Sequence, residues 1–453
     1  MLKRVHIKDY KSLMDVEVSF EPLSVLFGPN AAGKSNLLDA LQLLSRITAS
    51  KNLKEAFDPP YRGKPLESFH FGPRGIEGLL EQESVSFSIE VDIKLSESLV
   101  AKVNNLIAAM KQPRDSEETQ KVCEQAENSR KPPAEKRSSP RMEVKERNLR
   151  YRIEVEMLPR SGILRVRDEY LAALNEKNEP TGARRPFIER EGNRLHLRME
   201  GQSHPRFFEM GLDHTVLSVP HYAPHHPHLT AAREELSSWL FFYFEPRERM
   251  RAATPVKEVR HIGLMGEELA AYLNTLRATD ERQFRAVEKA LRTVIPSITG
   301  IQMIINKLGE VEMSLLEGDI AIPARLLSEG TLRILGLLAL SGAKEPPALL
   351  CFEEPENGVH PRRIGRIAQV LRNRTEMGDT QIVVTTHSPV LLDEMPNTSL
   401  YICKRERGNT AIRPLKYPVA KDMLRASEID RALQDQGESD LPVSDRIMRG
   451  DFE

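Results

Sequence analysis

At 453 residues the chain is long enough for one large domain carrying an insertion, or for two to three domains of ordinary size, so length alone excludes little. Its 65 Lys and Arg nearly balance 66 Asp and Glu, which excludes a global field that would draw the whole molecule to nucleic acid or an anionic membrane; any such contact is a local patch. Cys123, Cys351 and Cys403 lie far apart without C-x-x-C spacing, which argues against a disulfide framework or a zinc ribbon and fits a reducing cytosol.

In chain order, the opening MLKRVHIKDYKSL has no apolar signal-like stretch, and no run approaches the roughly 18 apolar residues of a membrane span, so a cytoplasmic chain with no membrane partner is expected. Short strands are predicted at Leu2 to Ile7, Val16 to Phe20 and Leu23 to Phe27. A helix follows from Ser35 to about Ile47, with Leu37, Leu38, Leu41 and Leu44 on one stripe. Pro59-Pro60 and Gly63 punctuate a loop, and Val85, Phe87, Ile89, Val91 and Ile93 then alternate with polar residues as a half-buried strand does. Lys111 to Arg150 holds eleven Lys/Arg, eight Asp/Glu and no aromatic residue; too poor in apolar surface to order itself, it reads as a mobile charged insertion.

Further strands are predicted at Arg150 to Leu158, in GILRVRDEYL, and as a hairpin in IEREGNRLHLRME. HYAPHHPHLT, His221 to Thr230, gathers four histidines, but its prolines and the lack of a nearby cysteine or acid favour an extended polar loop over a zinc site. SSWLFFYFEPRERMR reads as a core strand entering a loop, with helices at Met265 to Arg277, Glu281 to Val294 and Thr331 to Leu340. Ala348 to Leu392 alternates strand and helix twice, as a parallel α/β sheet does.

Three stretches carry chemistry. Gly28-Pro29-Asn30-Ala31-Ala32-Gly33-Lys34-Ser35 fits G-x-x-x-x-G-K-[ST] between an apolar strand and an amphipathic helix. Its backbone N–H groups converge on a phosphate at a helix N-terminus, Lys34 adds a point charge and the Ser35 hydroxyl is a ligand for Mg²⁺; Asn36 extends the ATP-binding set. In PALLCFEEPENGVHP a buried strand ends in two acids, placing Glu353 to hold Mg²⁺ and Glu354 to polarise an attacking water. QIVVTTHSP ends another strand at His387, within reach of a γ-phosphate or that water. Each stretch alone has a plain alternative: a glycine turn, a pair of solubilising acids, a surface histidine.

Together, in this order, they resemble the motifs of ABC-type ATPases, and among these the SMC-like and OLD/RecF-like AAA proteins. Leu327-Ser328-Glu329-Gly330-Thr331 is similar to the family's signature; without the resemblance it reads as a helix start capped by Ser328. Glu356-Asn357-Gly358 through His360-Pro361 matches the D-loop region. The resemblance implies a P-loop fold of mixed sheet flanked by helices, at residues 1–50 and 237–410, a β-rich insertion at 51–236 and a tail at 411–453. It implies hydrolysis of ATP with Mg²⁺, with Glu354 and His387 catalytic and Glu353 and Ser35 on the metal. Ser328, Glu329 and Gly330 would grip the ATP of another protomer in a homodimer or higher homo-oligomer.

It further implies a sensor or regulator of a separate effector protein, a nuclease by analogy, in bacterial anti-phage defence. The alternatives are a RecF- or SMC-like ATPase of DNA maintenance with DNA as ligand, a P-loop small-molecule kinase, and a transporter subunit. Three departures stand out: Glu353 where the family carries aspartate, no identifiable Q-loop glutamine, for which Phe69 to Gly72 is the place, and no Toprim constellation after Arg405.

Overall fold

The computed structural model describes residues 1–59, 61–111, 143–182, 184–200, 206–340, 347–378, 380–415 and 442–449. The nucleotide-type sheet has six strands in the order Leu240–Phe242, Leu349–Glu353, Gln381–Thr386, Leu23–Phe27, Leu400–Glu406, Asn409–Pro414; the first five are parallel and the last turns back antiparallel. Its central strands are apolar on both faces, and the reason is visible in their period of two. Leu26, Cys351 and Val383 point into one hydrophobic core, whereas Val25, Phe27, Leu350, Phe352, Ile382 and Val384 point into the other. The sheet is thus the wall between two cores. At about 1.5–3 kcal/mol for each fully buried large apolar side chain, its strands have no other stable place.

One core is closed by an eight-stranded sheet in the order Leu13–Ser19, Leu2–Tyr10, Val85–Lys94, Asn148–Leu158, Ile163–Ala173, Ile188–Glu191, Arg194–Leu197, Arg206–Glu209. The two N-terminal strands therefore pair with the β-rich section rather than with the strand that follows them: Val5 sits opposite Val91 and Ile7 opposite Ile89. The helices Lys34–Ala49 and Pro227–Ser237 pack against each other beneath this sheet. The other core lies under the helices Leu269–Thr279, Glu281–Val294, Glu329–Leu340 and Pro361–Glu376 and a smaller antiparallel sheet containing Gly300–Ile305 and Glu310–Glu317.

Two expectations change. The charged insertion falls mostly at residues 112–142, outside the described residues; at its flanks Lys111 ends the helix Glu97–Lys111, Val144 is buried and Arg150 lies in a strand. HYAPHHPHLT is not an extended polar loop. Pro227 begins a helix, where a missing N–H costs nothing, and His226 and His228 are buried at its start. His228 stacks on Phe187 at 4.7 Å; its Nε2 accepts the N–H groups of Lys145 and Glu146 at 3.1 and 3.0 Å, and its Nδ1 lies 2.7 Å from Glu200. Among the described residues no group of three or more His, Cys, Asp or Glu is placed to hold a metal, and no helix is long and apolar enough to cross a membrane.

Burial pushes the His226 imidazole down to about 4, and its Nδ1 has no hydrogen-bond partner among the described residues. The unfolded chain accepts a proton near the ordinary value of 6.5 that the folded chain resists, so stability is retained above that value and lost as the pH falls through about 4. In urea denaturation His226→Gln is expected to recover on the order of 2 kcal/mol of the acid-dependent loss; an unaltered pH slope would count against this assignment.

Candidate nucleotide site

Parallel register brings the reactive residues to one edge of the six-stranded sheet. Thr386 is level with Phe27 and Glu353 with Thr385, so the residues that follow each strand emerge side by side. From Phe27 the chain enters the loop Gly28–Gly33 and then the helix Lys34–Ala49. A hairpin buttresses this loop so closely that no side chain fits at either of its glycines. A Cβ on Gly28, at φ +147°, would lie 2.1 Å from the Cys403 carbonyl oxygen, and one on Gly33, at φ +98°, 2.0 Å from Thr410 Oγ1. Thr410 Oγ1 donates to the Ala32 carbonyl at 2.9 Å. Asn36 Nδ2 donates to Ser12 Oγ at 2.7 Å, tying the loop's far end to the first hairpin.

Lys34 folds over the loop and donates to the carbonyls of Gly28 and Pro29 at 2.8 and 3.0 Å. Burial lowers its pKa against the pull of Glu354 and Glu353. The Ser35 hydroxyl donates to Glu353 Oε1, so two hard oxygen ligands of the kind Mg²⁺ prefers already converge. A cradle that admits no Cβ at Gly28 or Gly33, a folded-over lysine and this oxygen pair fit a magnesium–nucleoside triphosphate.

Sequence reasoning missed the cation on that carboxylate. Arg62, in the loop after the helix Leu53–Phe57, places its guanidinium 2.7 Å from Glu353 Oε2 and 2.9 Å from Asp39 Oδ1, with its charge 5.0 Å from the Tyr243 ring centre. Asp39 also accepts from Lys11 at 2.7 Å. The only signal in the sequence was a charged residue inside the apolar run LLDALQLL. Phe69, where the Q-loop was sought, pairs instead with Tyr10 at the end of the large sheet.

Glu354 follows Glu353 with φ +48°, a left-handed conformation rare outside glycine, which turns its side chain away from the strand line. Its N–H donates to the Thr385 carbonyl at 2.9 Å. Asn357 Nδ2 donates to its Oε2 at 2.6 Å and His387 Nδ1 lies 3.0 Å from its Oε1. The structure thus gathers Gly28 to Ser35, Glu353, Glu354 and His387.

Ser328, Glu329 and Gly330 are elsewhere. Ser328 Oγ accepts the N–H of Thr331 at 3.2 Å, capping the helix as expected, and Arg247 Nε donates to Glu329 at 2.8 Å. A Cβ on Gly330 would stand 2.4 Å from the Gly358 carbonyl oxygen, so this helix start rests on the end of the 353–360 loop. Among the described residues no hydrogen bond joins Ser328–Gly330 to the phosphate loop.

A family profile described as "AAA domain, putative AbiEii toxin, Type IV TA system" matches residues 23–98 and 222–393, more than half of the chain. The DNA replication and repair protein RecF of Limosilactobacillus fermentum is 31% identical over 107 residues, 23% of this chain and 26% of that protein. RecF of Bacteroides thetaiotaomicron is 47% identical over 53 residues, 12% of this chain and 14% of that protein. An OLD nuclease of Thermus scotoductus is 41% identical over 44 residues, 10% and 8% of the two chains. The chain spans about a quarter of the length of the first of these relatives. Among solved structures, an Smc head bound to the C-winged helix domain of ScpA aligns at TM-score 0.49 and 12% identity, over 93% of this chain and 99% of that one.

Because the neighbour of Gly330 is backbone, Gly330→Ala is expected to cost about 1–3 kcal/mol in urea denaturation. Gly72→Ala, with nothing within 4 Å of the added Cβ, is expected to change stability by less than about 0.5 kcal/mol. Equal effects would show that the contact between Gly330 and Gly358 is not tight.

Proposed function

The chain belongs to the AAA-domain family described as putative AbiEii toxin of the type IV TA system, and from that premise we propose that it binds and hydrolyses ATP in sites completed by a second copy of itself. Its ATPase class is that of the ABC-type proteins with RecF- and OLD-like relatives. The observation that carries the proposal is the division within one chain. A phosphate cradle stands with two acids and a histidine at one sheet edge, while among the described residues no hydrogen bond joins the phosphate loop to the helix start at Ser328–Gly330, whose dipole would favour an anion.

In this reading the backbone N–H groups of the loop from Asn30 to Gly33 and the Lys34 ammonium hold the β- and γ-phosphates, and Ser328 and Gly330 of the other copy face the γ-phosphate. Ser35 and Glu353 would hold Mg²⁺, which supplies neutralisation of phosphate charge when bound. Arg62 must then yield Glu353. Glu354, with its two oxygens fixed by Asn357 and His387, accepts a proton from water as the water oxygen bonds to the γ-phosphorus; the bond to the bridging oxygen breaks, and ADP and phosphate leave. ATP joins the copies and hydrolysis parts them. The joined form would report to a separate effector, a nuclease in anti-phage defence; the family description, which names a toxin system, supports that direction. The matched RecF segments favour a second reading, DNA maintenance, which predicts duplex binding that weakens steeply with salt.

Lys34→Ala is expected to weaken ATP binding by at least about a hundredfold in a fluorescent-nucleotide titration. Glu354→Gln is expected to bind ATP normally, to lose about 10²- to 10⁴-fold in turnover, and to sediment as a dimer only with ATP. If that variant sediments alike with and without ATP, the shared-site reading fails.

A further inference from the structure

We propose that Glu356 is a positioning residue for hydrolysis: through Thr386 its carboxylate fixes the turn that presents His387 to Glu354. The inference rests on the ATPase reading above and adds a residue to it.

Glu356 is 5% exposed, and it is an acid where the chain has no need of one for solubility. Its Oε1 accepts the Thr386 hydroxyl at 2.5 Å, while its Oε2 is buried with no hydrogen-bond partner among the described residues. A buried carboxylate satisfied on one side only opposes folding, so its presence calls for a role that a small apolar residue would not fill. Thr386 is fully buried at the end of its strand, and its Oγ1 both donates to Glu356 and accepts the N–H of Ser388 at 2.9 Å. The hydroxyl therefore has one orientation, and the residue between its two bonds is His387. In neutral water a threonine hydroxyl rotates freely; clamped by a carboxyl oxygen on one side and a backbone N–H on the other, it becomes a fixed post.

The other end of the linkage is equally constrained. Glu354 and Glu356 flank Pro355, whose ring fixes its own φ and so removes one torsion between the strained Glu354 and the buried Glu356. Glu354 N–H donates to Thr385 O and Thr386 Oγ1 donates to Glu356 Oε1, so the two residues on either side of Pro355 are laced to two successive residues of the other strand. The 3.0 Å approach of His387 to Glu354 is a consequence of that lacing. The Glu356 carbonyl accepts the N–H of Val359, which shapes the turn whose Gly358 rests on Gly330. The same residue thus holds the face that meets the second copy and the histidine that completes the site. Its carboxylate touches no reacting atom, so its effect is on rate through geometry.

The test compares Glu356→Gln, Thr386→Val and Thr386→Ser in the full chain, measuring fluorescent-ATP affinity and steady-state hydrolysis together. The expected result is ATP affinity within about twofold of wild type for all three. Turnover falls at least about tenfold at unchanged KM for Glu356→Gln and Thr386→Val, and Thr386→Ser, which keeps the hydroxyl, returns to within about threefold of wild type. Unchanged turnover in both Glu356→Gln and Thr386→Val overturns the proposal. So does a parallel loss of binding and turnover, which would make Glu356 a support of the fold, and so does failure of Thr386→Ser to recover. A wild-type chain that binds no ATP overturns the ATPase reading itself, and is distinguished from these outcomes by the wild-type titration alone.

Discussion

Ser35 donates its hydroxyl to Glu353 across 318 residues of chain, and almost every other feature of the site depends on what makes that contact available. The two residues close on each other because the phosphate-loop strand and the acidic strand lie in one parallel sheet, separated by Gln381–Thr386. Parallel strands all release their following residues at the same edge, so register alone delivers glycines, acids and histidine to a common place. The register is in turn held by a sheet buried on both faces, because a slip of one residue would exchange the side chains facing the two cores.

The loop from Glu353 to His360 converts that scaffold into chemistry. Its second residue is held in a left-handed conformation that costs about 1–3 kcal/mol, and the surrounding bonds from Asn357, Thr385 and His387 offset it. Its far end supports the start of the helix Glu329–Leu340 through the Gly358 carbonyl, which approaches Gly330 too closely for a side chain at Gly330. One short segment therefore carries Glu353 and Glu354, the carboxylates proposed as metal ligand and base, and touches the helix start at Gly330. In the proposed shared site, a shift at Gly330 has only the residues from Gly358 back to Glu354 to cross before it reaches the proposed base.

Much of this was legible in the sequence, for reasons that are local. The run from Leu23 to Ser35 declares strand, glycine loop and helix by composition and period, and two acids or a histidine just past an apolar run declare a sheet edge. Pairing is not local, so nothing in Leu2–Tyr10 revealed that its partner is Val85–Lys94. Arg62 sits in an irregular loop with no period to read, and only the fold places it between Asp39 and Glu353. The histidine cluster misled because prolines suggested a loop, whereas Pro227 stands at the one helical position that tolerates it. Glu356 looked like one more acid in EEPEN; its burial is a tertiary fact.

The central claim is that each site takes its phosphate loop from one copy and its signature from another. It is tested most directly by mixing Lys34→Ala with Ser328→Arg, two variants each expected to be without turnover. In mixed dimers one of the two sites has both halves intact, so hydrolysis should reappear at up to about a quarter of the wild-type rate. If the mixture stays at the background of the separate variants while both remain folded, each chain works alone and the shared site is wrong.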